Sequence, residues 1–149
     1  MSITVSMRSA RSQDMAVCAA IVNDWIDQTE WMPRVHSRED VVKHYEDDEK
    51  MKRNTIVAVD GARVRGFVTL TRDGFINALY VEAASRNQGI GGLLLQRVKR
   101  ELSPQVNLYV FQANDKAQRF FARHGFTEIN RTTGDNEEDL PDTLMEWRE

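Results

Sequence analysis

The stretch Arg86-Asn87-Gln88-Gly89-Ile90-Gly91-Gly92 constrains this chain more than any other, because the apolar run Ala78-Leu79-Tyr80-Val81 leads into it and an amphipathic run leaves it. It reads as strand, glycine turn, helix. Three glycines in four residues let the backbone turn tightly and let a ligand approach without meeting a β-carbon. Ile90, Leu94, Val98 and Leu102, with Leu95 beside them, recur at the spacing of one helix face. A helix start carries free N–H groups and a partial positive charge, so phosphates bind there. From this stretch alone, an ordinary tight connection reads equally well. Two common phosphate motifs fit poorly. A P-loop needs lysine and then serine or threonine after its last glycine, whereas Leu93 and Leu94 follow Gly92. A dinucleotide fingerprint needs a glycine where Leu94 stands, and an acidic residue further on that is missing.

The remaining chain narrows the partners. At 149 residues it has the length of one domain, 1–149, long enough to close a hydrophobic core. A net charge of -3 gives no global field toward nucleic acid or an anionic membrane. Cys18 is the only cysteine, which excludes an intrachain disulfide and suits a reducing compartment. No apolar run approaches the roughly 20 residues of a membrane span, and the N-terminus lacks the apolar core of a signal peptide. The expected location is the cytoplasm.

In chain order, Ile3 to Arg8 alternates as a half-covered strand. Ser12 is placed to cap a helix whose Met15, Cys18, Ile21, Val22, Trp25 and Ile26 form one buried stripe, with Cys18 as packing. Glu30 to His36 is a loop broken by Pro33. Its Glu30, Trp31, Met32 and His36 are candidates to wall a substrate pocket; the alternative is that Trp31 and Met32 fold back onto the core. Ser37 then caps a second helix through Asp40, with Val41, Val42 and Tyr45 inward. Asp60-Gly61 and Asp73-Gly74 mark two successive hairpin turns, giving a meander of Thr55–Val59, Val64–Thr71 and Phe75–Val81. After the central helix, Val106 to Phe111 reads as a strand covered on both faces and reached by a parallel crossover. Asn114 caps the next helix, Gly125 ends it, and His124 at its end is expected to favour the cation. Strands at Phe126–Arg131 and Thr143–Trp147 flank an acidic loop read as solvated, although it would also attract a cationic amine. The fold class is therefore α/β, in an α+β arrangement: a central, largely antiparallel sheet of about seven strands with one parallel crossover, flanked by about four helices.

Arg86-Asn87-Gln88-Gly89-Ile90-Gly91 resembles the Arg/Gln-x-x-Gly-x-Gly/Ala pyrophosphate loop of the GNAT superfamily of N-acetyltransferases. A second stretch, Asn114 to Phe126, looks like the family's Asn-x-x-Ala-x-x-Phe-Tyr-x-x-x-Gly-Phe segment, and the element order matches throughout. The resemblance implies that Arg86, Asn87, Gln88, Gly89, Ile90, Gly91 and Gly92 bind the pyrophosphate of acetyl-CoA, and that backbone groups of Leu79 and Val81 bind its pantetheine arm between two splayed strands. It also implies cofactor contacts at Asn114 and Phe121, and it allows a homodimer. A valine at Gly89 or Gly91 is then expected to weaken coenzyme A binding with little loss of stability.

The implied reaction is direct attack of a primary amine of a small molecule or peptide on the thioester, through a tetrahedral intermediate. A backbone N–H at Val81 is the expected oxyanion contact. Glu82 is the first candidate base, or simply a solvated carboxylate at a strand end, with Glu30 and His36 behind it. Phe121 stands where many members carry a tyrosine that protonates the departing thiolate, which leaves water, Tyr109 or Tyr80 as substitutes. That departure keeps a non-catalytic acyl-CoA-binding regulatory module as the alternative, with a nucleotide-binding domain a weaker one. Three scattered histidines and no cysteine pair argue against a metal site.

Overall fold

Ile56 and Ala58 project to one side of a strand and Val57 and Val59 to the other, all four buried, so this strand must lie in the middle layer of the molecule. The computed structural model describes residues 4–149 and shows that layer as a seven-stranded sheet. Its strands are β1 (Ser6–Ser9), β2 (Thr55–Asp60), β3 (Arg63–Leu70), β4 (Phe75–Val81), β5 (Gln105–Phe111), β6 (Thr127–Arg131) and β7 (Asp142–Arg148). The spatial order is β1-β2-β3-β4-β5-β7-β6, and only the β4–β5 pair is parallel. Ile3, the start of the first expected strand, lies outside the described residues.

The helices are α1 (Met15–Gln28), α2 (Arg38–Asp47), α3 (Glu49–Arg53), α4 (Ile90–Leu102) and α5 (Asp115–Arg123). On one face Met15, Cys18, Ile21 and Val22 of α1 meet Val57, Val59 and Phe67, with Tyr45 of α2 closing the cluster. On the other, Ile90, Leu94, Leu95 and Val98 of α4 meet Ile56, Val68, Ile76, Val106 and Leu108, while Phe121 and Phe126 seal the α5 end. Burial pushes the Cys18 thiol up to about 12, aided by the charge of Asp14, so it packs as an apolar group.

Several local expectations need correction. Ser12 opens a short 3-10 turn and does not cap α1; Asp14 holds this corner instead, accepting from the Arg11 N–H (2.7 Å) and the Arg8 guanidinium (2.6 Å). The expected fold class holds, with five helices among the described residues for the about four expected; the short turn α3 is capped by Asp48 through the Lys50 and Met51 N–H groups. β5 is covered on one face only: Val106, Leu108 and Val110 are buried, whereas Tyr109 is 54% exposed. The cluster under α1, α2 and α3 draws on β2, β3 and β4 and holds no residue of β5, β6 or β7. At the end of α5, burial pushes the His124 imidazole below its ordinary value, and the Lys99 and Arg123 charges push further, so the expected cation is disfavoured. The helix carbonyl there is instead satisfied by Lys99, whose Nζ donates to His124 O at 2.5 Å.

Candidate active site

The parallel pair that joins the two halves of the sheet is short. β4 meets β5 only at Phe75↔Asn107 and Ile76↔Leu108. Against β3, the register passes from Leu70↔Ile76 to Thr69↔Ala78, so Asn77 is an extra residue in β4. A bulge bends its own strand, and here it bends β4 at the point where pairing with β5 stops. The two strands part toward the glycine loop.

The parting exposes specific backbone groups. Glu82 N–H donates to Arg65 O (2.9 Å), which makes Glu82 and Arg65 a hydrogen-bonded pair of the β3–β4 ladder. Alternation along that ladder turns Tyr80 and Ala78 toward β3, and turns the N–H and C=O of Leu79 and Val81 away from it, into the gap. Arg86 Nε donates to Val81 O (3.2 Å), which agrees with this direction.

β4 hands the chain to the loop through the 3-10 turn Ala83–Ser85. Asn87 and Gly89 both adopt positive φ, at 63° and 84°; asparagine and glycine tolerate that region best. Gly89 O accepts the first bond of α4, from Leu93 N–H (3.1 Å), so the N–H groups of Ile90, Gly91 and Gly92 come before any bond internal to the helix. The three glycines prove unlike one another. A β-carbon on Gly89 would meet no atom within 4 Å, whereas one on Gly91 would lie 3.0 Å from Phe120 Cζ and one on Gly92 3.0 Å from His124 Cε1. Gly89 leaves open space before free N–H groups, which fits a pyrophosphate; Gly91 and Gly92 let α4 press against α5.

Glu82 lies at the end of β4 as expected, but its carboxylate is engaged. Burial alone would raise it, yet the hydrogen bond from Ser85 (2.6 Å) and those from Arg65 (2.8 Å) and Arg63 (3.0 Å) together hold it below the ordinary carboxylate range. Such a group is a poor proton acceptor. Phe121 is buried at 7% exposure within the core, edge-to-face with Phe120 and Phe126. Asn114 Oδ1 accepts from Ala117 N–H (3.1 Å) and is occupied as the cap of α5. Tyr109 stacks on Phe75 (5.9 Å), at the end where β4 and β5 are still joined. Burial, then the negative charge of Glu138, pushes the Tyr80 phenol up to about 12, which removes it as a ready proton donor near neutrality.

On the α1 side, aromatic rings bridge the two parted strands. Tyr80 of β4 meets Trp25 (5.5 Å), Trp25 meets Trp31 (5.7 Å), and Trp31 meets Phe111 of β5 (5.9 Å). Trp31 and Met32 are half-buried and Glu30 is exposed. Arg34 pins this loop by donating to Asp27 (2.8 Å), to Asn23 Oδ1 (3.0 Å) and to His36 O (3.0 Å). His36 in turn pairs with Glu137 (3.0 Å), which joins the α1–α2 loop to the acidic β6–β7 loop. Sequence reasoning passed over Arg34, Asn23, Trp25 and Phe111, because a guanidinium or an indole gains its role here only from neighbours distant in sequence. Among the described residues no group of three or more His, Cys, Asp or Glu side chains gathers as metal ligands. No described helix is long and apolar enough to cross a membrane.

Residues 12–148 match the family model of the acetyltransferase (GNAT) domain. The chain is 27% identical over 131 residues to the peptidyl-lysine N-acetyltransferase YiaC of Escherichia coli K12, a match that covers 86% of this chain and 88% of that one. Among solved structures it is similar to apo YjaB of Escherichia coli, with TM-score 0.79, 20% identity and coverage of 97% and 98% of the two chains. It is also similar to YncA of Salmonella typhimurium, solved with its cofactor acetyl-CoA, with TM-score 0.74, 19% identity and coverage of 97% and 94%.

Proposed function

The chain belongs to the GNAT acetyltransferases, and from that premise we propose that it moves the acetyl group of acetyl-CoA to a primary amine by direct attack of the nitrogen. The observation that carries the reading is the gap at the bulge of β4, with the N–H groups of Leu79 and Val81 turned into it and the start of α4 at its mouth. Acetyl-CoA supplies an activated thioester carbonyl. The chain's own groups do the rest. The N–H groups of Ile90, Gly91 and Gly92 bind the pyrophosphate without any lysine, because a helix start is already a donor site. Leu79 and Val81 continue, toward a bound pantetheine arm, the hydrogen bonding that β5 no longer provides. In this reading the Val81 N–H donates to the thioester oxygen as it gains negative charge.

Glu82 serves in this reading as a positioning residue. It fastens β3, through Arg63 and Arg65, to the turn that delivers the glycine loop. The amine gives one proton to water before its nitrogen attacks, and with Phe121 in the core the departing thiolate is protonated through water as the nitrogen loses its second proton, which a thiol pKa of roughly 8.5 permits. The similarity to a peptidyl-lysine acetyltransferase supports an amine acceptor.

Release of free coenzyme A thiol, measured with acetyl-CoA and a panel of amines, tests the proposal. Amine-dependent release is the expected result. Tight acetyl-CoA binding with no amine that accelerates release would leave the regulatory binding module as the correct reading.

A further inference from the structure

The acidic loop between β6 and β7 holds a carboxylate that the fold itself does not use. Glu138 Oε2 is buried and has no hydrogen-bond partner, and an acceptor atom in that condition is costly unless something else satisfies it. Its neighbour Glu137 is exposed and is taken by His36. The loop between them is built. Asn136 Nδ2 donates to Leu140 O (2.8 Å) and its Oδ1 accepts from Leu140 N–H (3.1 Å), and Gly134 sits at φ 104° where a β-carbon would lie 2.9 Å from the Leu140 carbonyl carbon. Such stitching fixes which acidic side chain turns inward.

The loop that carries Glu138 lies beside both ends of the aromatic bridge: Pro141 O accepts from the N–H of Gln112, next to Phe111, at 2.9 Å, and Glu137 pairs with His36 of the segment that carries Trp31. The negative charge of Glu138 reaches the Tyr80 phenol, and Tyr80 is the β4 end of the Tyr80–Trp25–Trp31–Phe111 chain of rings. A carboxylate beside aromatic faces is the combination that recognises an ammonium group on an apolar stem: the carboxylate takes the charge, and the rings take the methylenes and add cation–π attraction.

We infer that Glu138 is the acceptor-binding carboxylate of this enzyme, and that with the Trp25–Trp31–Tyr80–Phe111 wall it selects acceptors that arrive as a primary ammonium on an extended aliphatic chain, which gives one proton to water before its nitrogen attacks. The inference rests on the acetyltransferase reading and names the acceptor class of that same site. Glu138 is assigned to binding and orientation, which predicts an effect on KM for the amine and little on kcat.

Steady-state kinetics with Nα-acetyl-lysine amide as the cationic acceptor, and hydroxylamine as a neutral one, provide the test, each rate being taken above the uncatalysed attack on the thioester. In Glu138→Gln the KM for the lysine derivative should rise by about tenfold or more, with kcat, the KM for acetyl-CoA and turnover of hydroxylamine nearly unchanged. Glu138→Asp should recover part of the loss, and Glu137→Gln should behave as wild type. An unchanged KM in Glu138→Gln, or an equal loss with both acceptors, overturns the inference. Wild-type turnover of hydroxylamine but not of the lysine derivative overturns the inference alone. Wild-type protein that turns over neither acceptor overturns the acetyltransferase reading and this inference with it.

Discussion

A single β-carbon separates the roles of the loop glycines. At Gly89 it would enter open space but on a backbone at φ 84°, so Gly89→Val loses both ligand room and, from left-handed strain, about 1–2 kcal/mol. At Gly91 it would strike the Phe120 ring, and overpacking of that kind costs about 1–3 kcal/mol. Both substitutions therefore cost stability, against the expectation of little loss. Only the Gly91→Val defect should be relieved by Phe120→Ala, as urea denaturation of the single and double variants will show. Glu82 and Asp14 invite a titration. Burial opposes charge at both, but the Ser85 and arginine bonds at Glu82, and the Arg8 and Arg11 bonds at Asp14, hold each folded pKa below its ordinary value. Each therefore adds stability that is fully present above the unfolded pKa of about 4 and is lost as pH falls through the lower folded value. The urea midpoint should decline gently below about pH 6.5, where the unfolded chain protonates His124 before the folded one does, and fall more steeply below about pH 4, the second fall being weaker in Glu82→Gln. If Glu82 were the base, the same variant would abolish the acid limb of kcat/KM; that limb should persist.

Among the elements, the caps speak first. Asn114→Ala should cost about 1 kcal/mol by loss of the α5 cap. Asn114→Asp keeps an acceptor for the Ala117 N–H and should keep that stability. A selective loss of coenzyme A affinity in the aspartate variant would give Asn114 the cofactor contact that the family motif implies. The elements also show what a sequence discloses. Two hairpin turns, the Ser37 and Asn114 caps, the Gly125 stop and the glycine loop were all legible, because each is a local contract between a residue type and its own backbone. The bulge at Asn77 was not, since an extra residue exists only relative to the register of β3. The one-sided cover of β5 was hidden as well, because it depends on how far α1 extends across the sheet. Glu138 looked like one acid in a solvated loop until the turn around Asn136 set it apart from Glu137.

For the whole molecule, the two faces of the sheet are sealed by separate clusters, one around α1 and one around α4. Coenzyme A at about a hundred times its Kd should add about 2.7 kcal/mol, and thus raise Tm by about 5–10 °C. Hydrogen exchange should slow most at Leu79, Val81 and the first turn of α4, and an even slowing across the chain would contradict the binding site assigned to the gap.

The two register pairs that join β4 to β5 give the sheet a seam. Two half-sheets meet along it, and past the bulge nothing in the ladder ties one to the other. A ligand laid in that seam acts as a substitute strand, so the most easily opened line in the fold is also the line that its substrate closes. The folded population of this protein should then follow the supply of its acyl donor, with the reaction and the architecture drawing on the same hydrogen bonds.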